Sequence, residues 1–313
     1  MDAETLGEKL KLRRKELGFT QQQLSLGICS QAQLSRIEKG FHHPSTEKLS
    51  LLLSRLNLSS SILNNYDSHV NDELIQKLHN YVHLREYQNL YQFIDLNNLW
   101  TKFIEDEHIQ LLYYFEGLYF SHYLNDQLKS LNHLFNGLKQ TNTITGSNKN
   151  ILKFLQNKES SDSELLIIGA IGSCYFMLKN YNLAEQYFTF SINRYLTFDK
   201  RNNFENIAIL LYSSAKNFKY LKSLDKAQNM CELGLKILAE SNSTFRLSEL
   251  NYELAEIFRM KGDYLKAELH YITAITVAKT SCNNVILKYI ITDLKKYKDM
   301  TLLSSLISIL DTL

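Results

Sequence analysis

Residues 20–40, TQQQLSLGICSQAQLSRIEKG, carry the same helix start signal twice, ten residues apart. Thr20 is followed three residues on by Gln23, and Ser30 is followed by Gln33. In such a capping box the hydroxyl accepts from the backbone N–H of the glutamine, whose side chain bonds back to the cap residue. The stretch therefore predicts two short helices joined by a tight turn, the arrangement of a helix-turn-helix motif.

Leucines at helical spacing lie on both sides of this motif. Before it, residues 5–17 place leucines among lysines and glutamates in the pattern of an amphipathic helix. After it, Leu49, Leu52 and Leu56 predict a further helix that follows the only proline of the chain. Residues 1–66 contain nine lysines and arginines against six acidic residues, a basic excess that suits a nucleic-acid partner. This region is thus predicted to be a small basic helical bundle.

The bundle resembles the helix-turn-helix of the Xre/Cro repressors, with matching positions at fixed offsets and no gap across residues 5–58. The resemblance implies an ion pair between Arg14 and Glu38, which would tie the first helix to the end of the third. It also implies that residues 30–39, the recognition helix, lie in the major groove of double-stranded DNA. The alternative is a helical bundle that has no role in DNA binding.

Side chains near the N-terminus of the recognition helix are predicted to reach base edges, and Ser30 lies at this end. Gln31 is the best candidate for reading a base, because a carboxamide pairs bidentately with adenine. Ala32 offers a methyl group to thymine, and Arg36 can reach either guanine or a phosphate. Gln33 has two competing roles, since its contact with the cap residue limits its contact with a base.

The remaining predicted DNA contacts are with the phosphate backbone. Gln21 and the N–H groups behind Thr20 suit a phosphate, because the N-terminus of a helix attracts anions. Lys39 is expected to contact the DNA backbone or only solvent. A single motif of modest charge buries little surface for tight specific binding, so we expect a homodimer on a palindromic operator.

Beyond residue 66 the sequence changes to long helical stretches rich in tyrosine and phenylalanine, in which an order of small and large residues recurs. Its three copies begin at Gly172, Ala215 and Ala255, each with an aromatic residue three positions on. This order resembles the tetratricopeptide repeat, whose helical hairpins stack into a solenoid. The intervals of 43 and 40 residues exceed the usual ~34, so longer helices or loops are expected.

The resemblance implies that the first helix of each hairpin lines a concave groove. The positions expected to expose side chains there are Ser173, Phe176, Tyr212, Lys216, Lys219, Tyr252, Glu256 and Arg259. Aromatic rings and charges of both signs suit a short peptide. The alternative is that these residues make ordinary solvated or interhelical contacts. The RRNPP group of peptide-responsive regulators, which the domain order resembles, tends to hold the peptide backbone with asparagines. Asn217 lies beside Lys216, so a shift of the predicted register by one residue remains open.

No pattern typical of catalysis or of a bound cofactor was found. The chain lacks a glycine-rich phosphate loop, an HExxH motif and a GxSxG motif. Its four cysteines contain no CxxC spacing, so no metal site is expected. The N-terminal residues are too charged for a signal peptide, and the uncharged, largely apolar run at residues 165–178, 14 residues long, is too short to span a bilayer. We therefore expect a cytoplasmic protein that is not an enzyme and does not bind to membranes.

The domain order resembles that of the RRNPP group of peptide-responsive regulators. We expect an all-α chain, with residues 1–66 as a helix-turn-helix DNA-binding domain. Residues 67–313 are then a tetratricopeptide-like α-solenoid that binds a peptide and dimerises. The resemblance implies a homodimeric transcriptional regulator controlled by a short intracellular signalling peptide in quorum sensing. Two alternatives remain open, an adaptor whose repeats sequester or inhibit a partner protein, and a repressor that uses its repeats only to oligomerise.

Overall fold

The computed structural model describes residues 6–40, 44, 46–58, 61–142, 151–156, 160–197, 204–281 and 283–295. Within these ranges every regular element is an α-helix and no strand is present, so the all-α prediction is confirmed. Contacts divide the chain into two compact units, Met1–Arg85 and Glu86–Leu313.

The described part of the first unit contains five helices. They are α1 (Leu6–Glu16), α2 (Gln21–Ser25), α3 (Gln31–Glu38), α4 (Thr46–Arg55) and α5 (Ser61–His83). The expected boundary at residue 66 falls inside α5, and the assignment of residues 1–66 and 67–313 to separate functions stays a prediction. Ser45, which the sequence places beside Pro44 before α4, lies outside the described residues.

Leucines from α1 to α4, with one isoleucine, form the core of the first unit, because their helical spacing places them on one face of each helix. The buried residues are Leu10, Leu24, Leu34, Ile37, Leu49, Leu52, Leu53 and Leu56. Burying one such side chain contributes about 1.5–3 kcal/mol, which is what holds helices as short as α2 in place.

The second unit begins with α6 (Tyr87–Leu96) and α7 (Leu99–Lys102) and continues as helical hairpins. Its remaining helices are α8 (Asp106–His122), α9 (Gln127–Thr141), α10 (Ile151–Leu155), α11 (Asp162–Met177), α12 (Tyr181–Thr197), α13 (Phe204–Tyr220), α14 (Leu224–Glu240), α15 (Leu247–Lys261), α16 (Tyr264–Thr280) and α17 (Asn284–Leu294). The hairpins are α8/α9, α11/α12, α13/α14 and α15/α16, and their first helices contact one another in succession. This is the predicted helical repeat array.

The small residues of the repeat are required by close packing within the hairpins. A Cβ added at Gly172 would lie 2.9 Å from the Phe188 ring, and one at Gly117 would lie 2.7 Å from Leu134. Ala215 and Ala255, at the corresponding positions, are fully buried. Helices α12, α13, α14 and α16 have 17 residues each, which accounts for the long intervals between copies.

Candidate functional site

Both capping boxes form in the structure. Thr20 Oγ1 accepts from the backbone N–H of Gln23 at 3.1 Å, and Gln23 Oε1 accepts from the N–H of Thr20 at 2.8 Å. The corresponding distances between Ser30 and Gln33 are 3.1 and 3.4 Å. The boxes therefore set the start of α2 and of α3, and they use the carboxamide oxygen of Gln33 within the protein.

The recognition helix has one buried and one exposed face. Leu34, Ile37 and Glu38 are buried toward the bundle. The predicted DNA contacts on the exposed side are Ser30, Gln31, Ala32, Arg36 and Lys39, and Gln33 is half-buried beside them. Thr20 is also exposed, at the start of α2. The packing of α3 thus leaves the side chains that sequence reasoning selected for DNA available to a ligand.

Arg14 and Glu38 make a bidentate contact inside the bundle. Arg14 Nε donates to Glu38 Oε1 at 2.6 Å, and Arg14 Nη2 donates to Oε2 at 2.9 Å. Arg14 Nη1 also donates to the carbonyl oxygen of Phe19 at 2.9 Å. The arginine on α1 therefore holds both the C-terminal end of α3 and the chain just before α2.

Gln21 belongs to the same network. Its Nε2 donates to Glu38 Oε2 at 2.9 Å, so the side chain that sequence reasoning assigned to a phosphate contacts a carboxylate in this structure. Burial raises the pKa of Glu38, but the hydrogen bonds from Arg14 and Gln21 lower it by a larger amount. The pKa of Glu38 therefore lies below its ordinary value. The contact makes Gln21 a residue that positions α3.

Arg55 fixes the end of α2 through two hydrogen bonds that the sequence did not predict. Its Nη1 donates to the carbonyl oxygens of Leu24 at 2.9 Å and of Leu26 at 2.6 Å. These oxygens lie at the C-terminal end of α2, where carbonyls have no partner inside the helix. A lone arginine near the end of α4 gives no sequence signal for this role, because the contact spans about thirty residues of chain.

In the second unit, α11 and α13 bring three of the expected groove residues together. The Nζ of Lys216 lies 5.6 Å from the centre of the Phe176 ring and 5.5 Å from that of Tyr212. All three side chains are half-buried. Ser173, one turn before Phe176, donates to the carbonyl of Gly169 in its own helix. The two rings offer an apolar surface, and the ammonium group near both of them offers hydrogen-bond donors at the same place.

Asn217, the alternative left open by a one-residue shift, lies on the packed side of α13. It is 1% exposed, and its Nδ2 donates to the carbonyl of Tyr181 at 3.0 Å. Lys216 and not Asn217 therefore faces the half-exposed surface of this helix.

The expected groove residues nearer the C-terminus are engaged within the protein. Lys219 Nζ donates to Glu253 at 2.5 Å, which joins α13 to α15. Burial lowers the pKa of Lys219, and the nearby Glu253 raises it by more. Arg259 Nη2 donates to Glu256 at 2.9 Å, and the Tyr271 hydroxyl donates to the same carboxylate.

The expectation of exposed side chains is wrong at Tyr252 and Glu256, which are only 4% and 6% exposed. Tyr252 is buried because α17 packs against it. The Tyr252 hydroxyl donates to Asp293, and the Tyr252 ring makes an edge contact with the ring of Tyr289. The sequence of α17 does not show which helix it packs against, because that contact joins distant segments of the chain. The roles of Tyr252 and Glu256 in peptide binding, like those of the other expected groove residues, stay predictions.

The described residues contain no group of three or more His, Cys, Asp and Glu side chains that could hold a metal ion. Among the helices described, none combines the length and the apolar character needed to cross a membrane.

Comparisons with known proteins agree with this architecture. Residues 10–63 match a family model described as helix-turn-helix. The crystal structure of Bacillus thuringiensis PlcR in complex with the peptide PapR7 and DNA matches with a TM-score of 0.61 at 20% identity, covering 92% of this chain and 99% of that chain. Its apo form matches with a TM-score of 0.60 at 18% identity, covering 91% and 98%.

A third similar structure is the apo form of the competence regulator ComR from Streptococcus vestibularis. It has a TM-score of 0.51 at 20% identity, and the match covers 93% of this chain and 97% of that chain. The comparison with curated proteins gives no match. At these identities the similarity establishes the fold, which extends over both units.

Proposed function

We propose that this chain is a DNA-binding transcriptional regulator controlled by a short signalling peptide, which binds to the repeat unit. The observation that carries the proposal is the combination in one chain of two elements. One is an α3 whose polar face is exposed and whose position is held by buried hydrogen bonds. The other is a repeat array of the same fold as a protein crystallised with both a peptide and DNA.

The first unit supplies the chemistry of DNA recognition. Recognition helices of this motif enter the major groove with their N-terminal residues at the base edges. Here that end carries Gln31 and Ala32, with Arg36 further along the same exposed face. The network of Arg14, Gln21 and Glu38 holds the helix in one orientation without using any of these side chains.

The second unit supplies a surface suited to a short peptide. The rings of Phe176 and Tyr212 can pack against apolar side chains, while Lys216 between them can donate to a backbone carbonyl or a carboxylate. A peptide that binds one arrangement of the repeats more tightly than another shifts the equilibrium between them, and with it the spacing of two DNA-binding units in a homodimer.

A selection experiment tests both halves of the proposal. The full chain is first used to select duplexes from a randomised DNA pool, and we expect palindromic sites with half-sites about 34 Å apart or a multiple of that distance. Affinity for the selected duplex is then measured with and without a pool of randomised heptapeptides. We expect the pool to change it by about tenfold, a coupling free energy of about 1.4 kcal/mol.

The result also separates the alternatives. If no duplex is enriched, the chain is not a sequence-specific DNA reader. Enrichment without any effect of peptide would leave a repressor whose repeats serve oligomerisation. Peptide binding that leaves DNA affinity unchanged but releases a protein partner would indicate an adaptor.

Replacing Gln31 by alanine should weaken binding to the selected duplex by about 1–3 kcal/mol, because a bidentate contact with adenine is lost. Binding to random duplex should stay nearly the same, since it depends on phosphate contacts. Fluorescence anisotropy on both duplexes at one salt concentration measures the two affinities. An equal loss on both would show that Gln31 positions the protein and does not read a base.

Replacing Lys216 by alanine should weaken binding of the peptide recovered from the pool by about 1–2 kcal/mol, because the cation between two rings is removed. Isothermal titration with the full chain measures the affinity. Lys226→Ala is the matched control, since Lys226 lies 5.3 Å from the ring of Phe218 and is 65% exposed on α14. If Lys216→Ala binds the peptide as the parent does, the ligand lies elsewhere.

A further inference from the structure

Arg246 precedes α15 and has an unusual conformation for an arginine. Its φ is +57°, in the left-handed region that residues other than glycine rarely adopt. Its side chain is only 12% exposed, and the guanidinium carbon lies 5.4 Å from the centre of the Phe245 ring. Nη1 donates to Glu249 Oε1 at 2.6 Å. The charge of this arginine is thus held inside the repeat unit at some cost in backbone conformation.

The opposite edge of the guanidinium carries Nε–H, a donor that the described residues leave without an acceptor. Nε of Arg246 is buried and has no hydrogen-bond partner among the described residues, and Nη2 lies on the same side of the planar guanidinium. Arg14 shows what this edge does when it meets a carboxylate, because its Nε and Nη2 bind the two oxygens of Glu38. A buried donor without a partner is costly, so an edge of this kind favours a ligand that supplies two acceptors.

Tyrosines on three different helices interact electrostatically with Arg246. Burial lowers the pKa of the guanidinium, but Glu249, Tyr212 on α13 and Tyr87 on α6 raise it by more. Burial and Tyr87 raise the pKa of Tyr114 on α8, and Arg246 lowers it. Tyr114 and Tyr212 each stand three residues before a small residue of the repeat, Gly117 or Ala215, the register assigned to the concave face. Arg246 therefore lies near positions that the repeat register assigns to the concave face.

The charges nearby select among possible anions. Glu249 already balances the guanidinium, so a phosphate with close to two negative charges would be opposed by that carboxylate. A carboxylate carries one negative charge and matches the planar edge with its two oxygens. Phenol groups beside it can donate further hydrogen bonds and present apolar ring faces.

We propose that the Nε–Nη2 edge of Arg246 binds a carboxylate group of the short peptide, a contact made on the inner surface of the repeats. This inference rests on the proposed function, because it names the group of the peptide that anchors it. The carboxylate can come from the C-terminus of the peptide or from an aspartate or glutamate side chain.

Three pools of randomised heptapeptides distinguish these sources. The first lacks Asp and Glu and has a free C-terminal carboxylate, the second is the same pool with C-terminal amides, and the third is amidated but contains Asp and Glu. The full chain is incubated with each pool, the complexes are separated by size exclusion, and retained peptides are quantified by mass spectrometry. We expect the first pool to be retained about tenfold or more above the second, since a charge-assisted contact is lost on amidation.

Variants locate the contact. Arg246→Gln should abolish the preference for the acid pool, and Arg246→Lys should reduce it, because lysine keeps the charge but not the planar edge. Arg194→Gln is the matched control, since Arg194 also lies over a phenylalanine ring, that of Phe190, but on α12. Fluorescence melts that follow Trp100, the only tryptophan, show whether each variant folds.

The outcomes separate this inference from the function it rests on. Retention of the third pool above the second, in place of the first, supports the carboxylate site with an acidic side chain as its ligand. Equal retention of all three pools by the parent overturns the inference and leaves peptide binding intact, as does a preference that Arg246→Gln does not change. If the parent retains no peptide from any pool, both the inference and peptide control of the chain fall.

Discussion

Replacing Glu38 by glutamine is expected to lower the free energy of opening of the helix-turn-helix by about 3–5 kcal/mol, because Arg14 is left charged and unpaired in a buried position. The side chain of Glu38 is 1% exposed, and that of Arg14 is 10% exposed. Glutamine also offers an amide group where Gln21 and Arg14 both present donors. Hydrogen exchange of the amides in α3 measures the loss without assuming that the whole chain unfolds at once.

A matched control separates burial from charge. Glu16→Gln makes the same substitution in the pair of Glu16 with Arg13, whose side chains are 60% and 36% exposed. An exposed pair contributes little, so this variant should stay within about 1 kcal/mol of the parent. Trp100 lies in the second unit, and its fluorescence should report an unchanged melt for both variants. Exchange in α3 that is the same for Glu38→Gln and Glu16→Gln would contradict the role of the buried pair.

The same pair predicts a dependence on pH. The pKa of Glu38 in the folded chain lies below its ordinary value of about 4.3, so the unfolded chain binds the proton more readily. The stabilisation is therefore complete above that ordinary value and is lost as the pH falls through the folded pKa. The difference in α3 exchange between the parent and Glu38→Gln should shrink as the pH is lowered below about 4.3.

Replacing Gly7 by alanine is the second change with a large expected effect, and its sign is informative. Within a helix this substitution ordinarily stabilises by about 0.5–1 kcal/mol. Here a Cβ at position 7 would lie 2.3 Å from the carbonyl oxygen of Ile37 and 3.0 Å from that of Glu38, both backbone atoms. Because backbone cannot move aside as a side chain can, we expect destabilisation by about 1–3 kcal/mol and a shift of α3 away from α1.

Hydrogen exchange in α1 and α3, together with affinity for the selected duplex, measures this effect. Lys15→Ala is the control, since Lys15 is exposed on the same helix and should change stability by no more than about 0.5 kcal/mol. Slower exchange in Gly7→Ala than in the parent would mean that α1 does not approach α3 as closely as the structure shows.

Local signals explain why much of the architecture could be predicted from the sequence. A capping box involves residues three positions apart, so Thr20 with Gln23 and Ser30 with Gln33 carry their structural meaning in the sequence itself. The repeat is visible for a similar reason, because the small residues at 172, 215 and 255 recur where two helices of one hairpin must approach closely. The side chains of α3 that sequence reasoning assigned to DNA lie on its exposed face because the leucine spacing defines the opposite face.

Contacts between distant segments were beyond such reasoning. Gln21 was assigned to a phosphate because it begins a helix, and its hydrogen bond to Glu38 depends on how α2 packs against α3. Tyr252 was placed on an open face because its register is that of Tyr212, but α17 packs against the hairpin that contains Tyr252. Arg246 gave no signal, since the tyrosines that interact with it electrostatically, Tyr87, Tyr114 and Tyr212, lie on three other helices. Long-range packing decides which side chains meet, and periodicity alone does not contain it.

The succession of hairpins in the second unit has a consequence for its cooperativity. Since α8, α11, α13 and α15 contact one another in order, stability there resembles a linear chain of nearest-neighbour couplings, in which a hairpin can open at the cost of its own two interfaces. A ligand that contacts both α8 and Arg246, which precedes α15, would couple the first hairpin of this series directly to the last. Opening any single hairpin would then strain the ligand contacts as well, so a small molecule would make four hairpins behave as one cooperative unit.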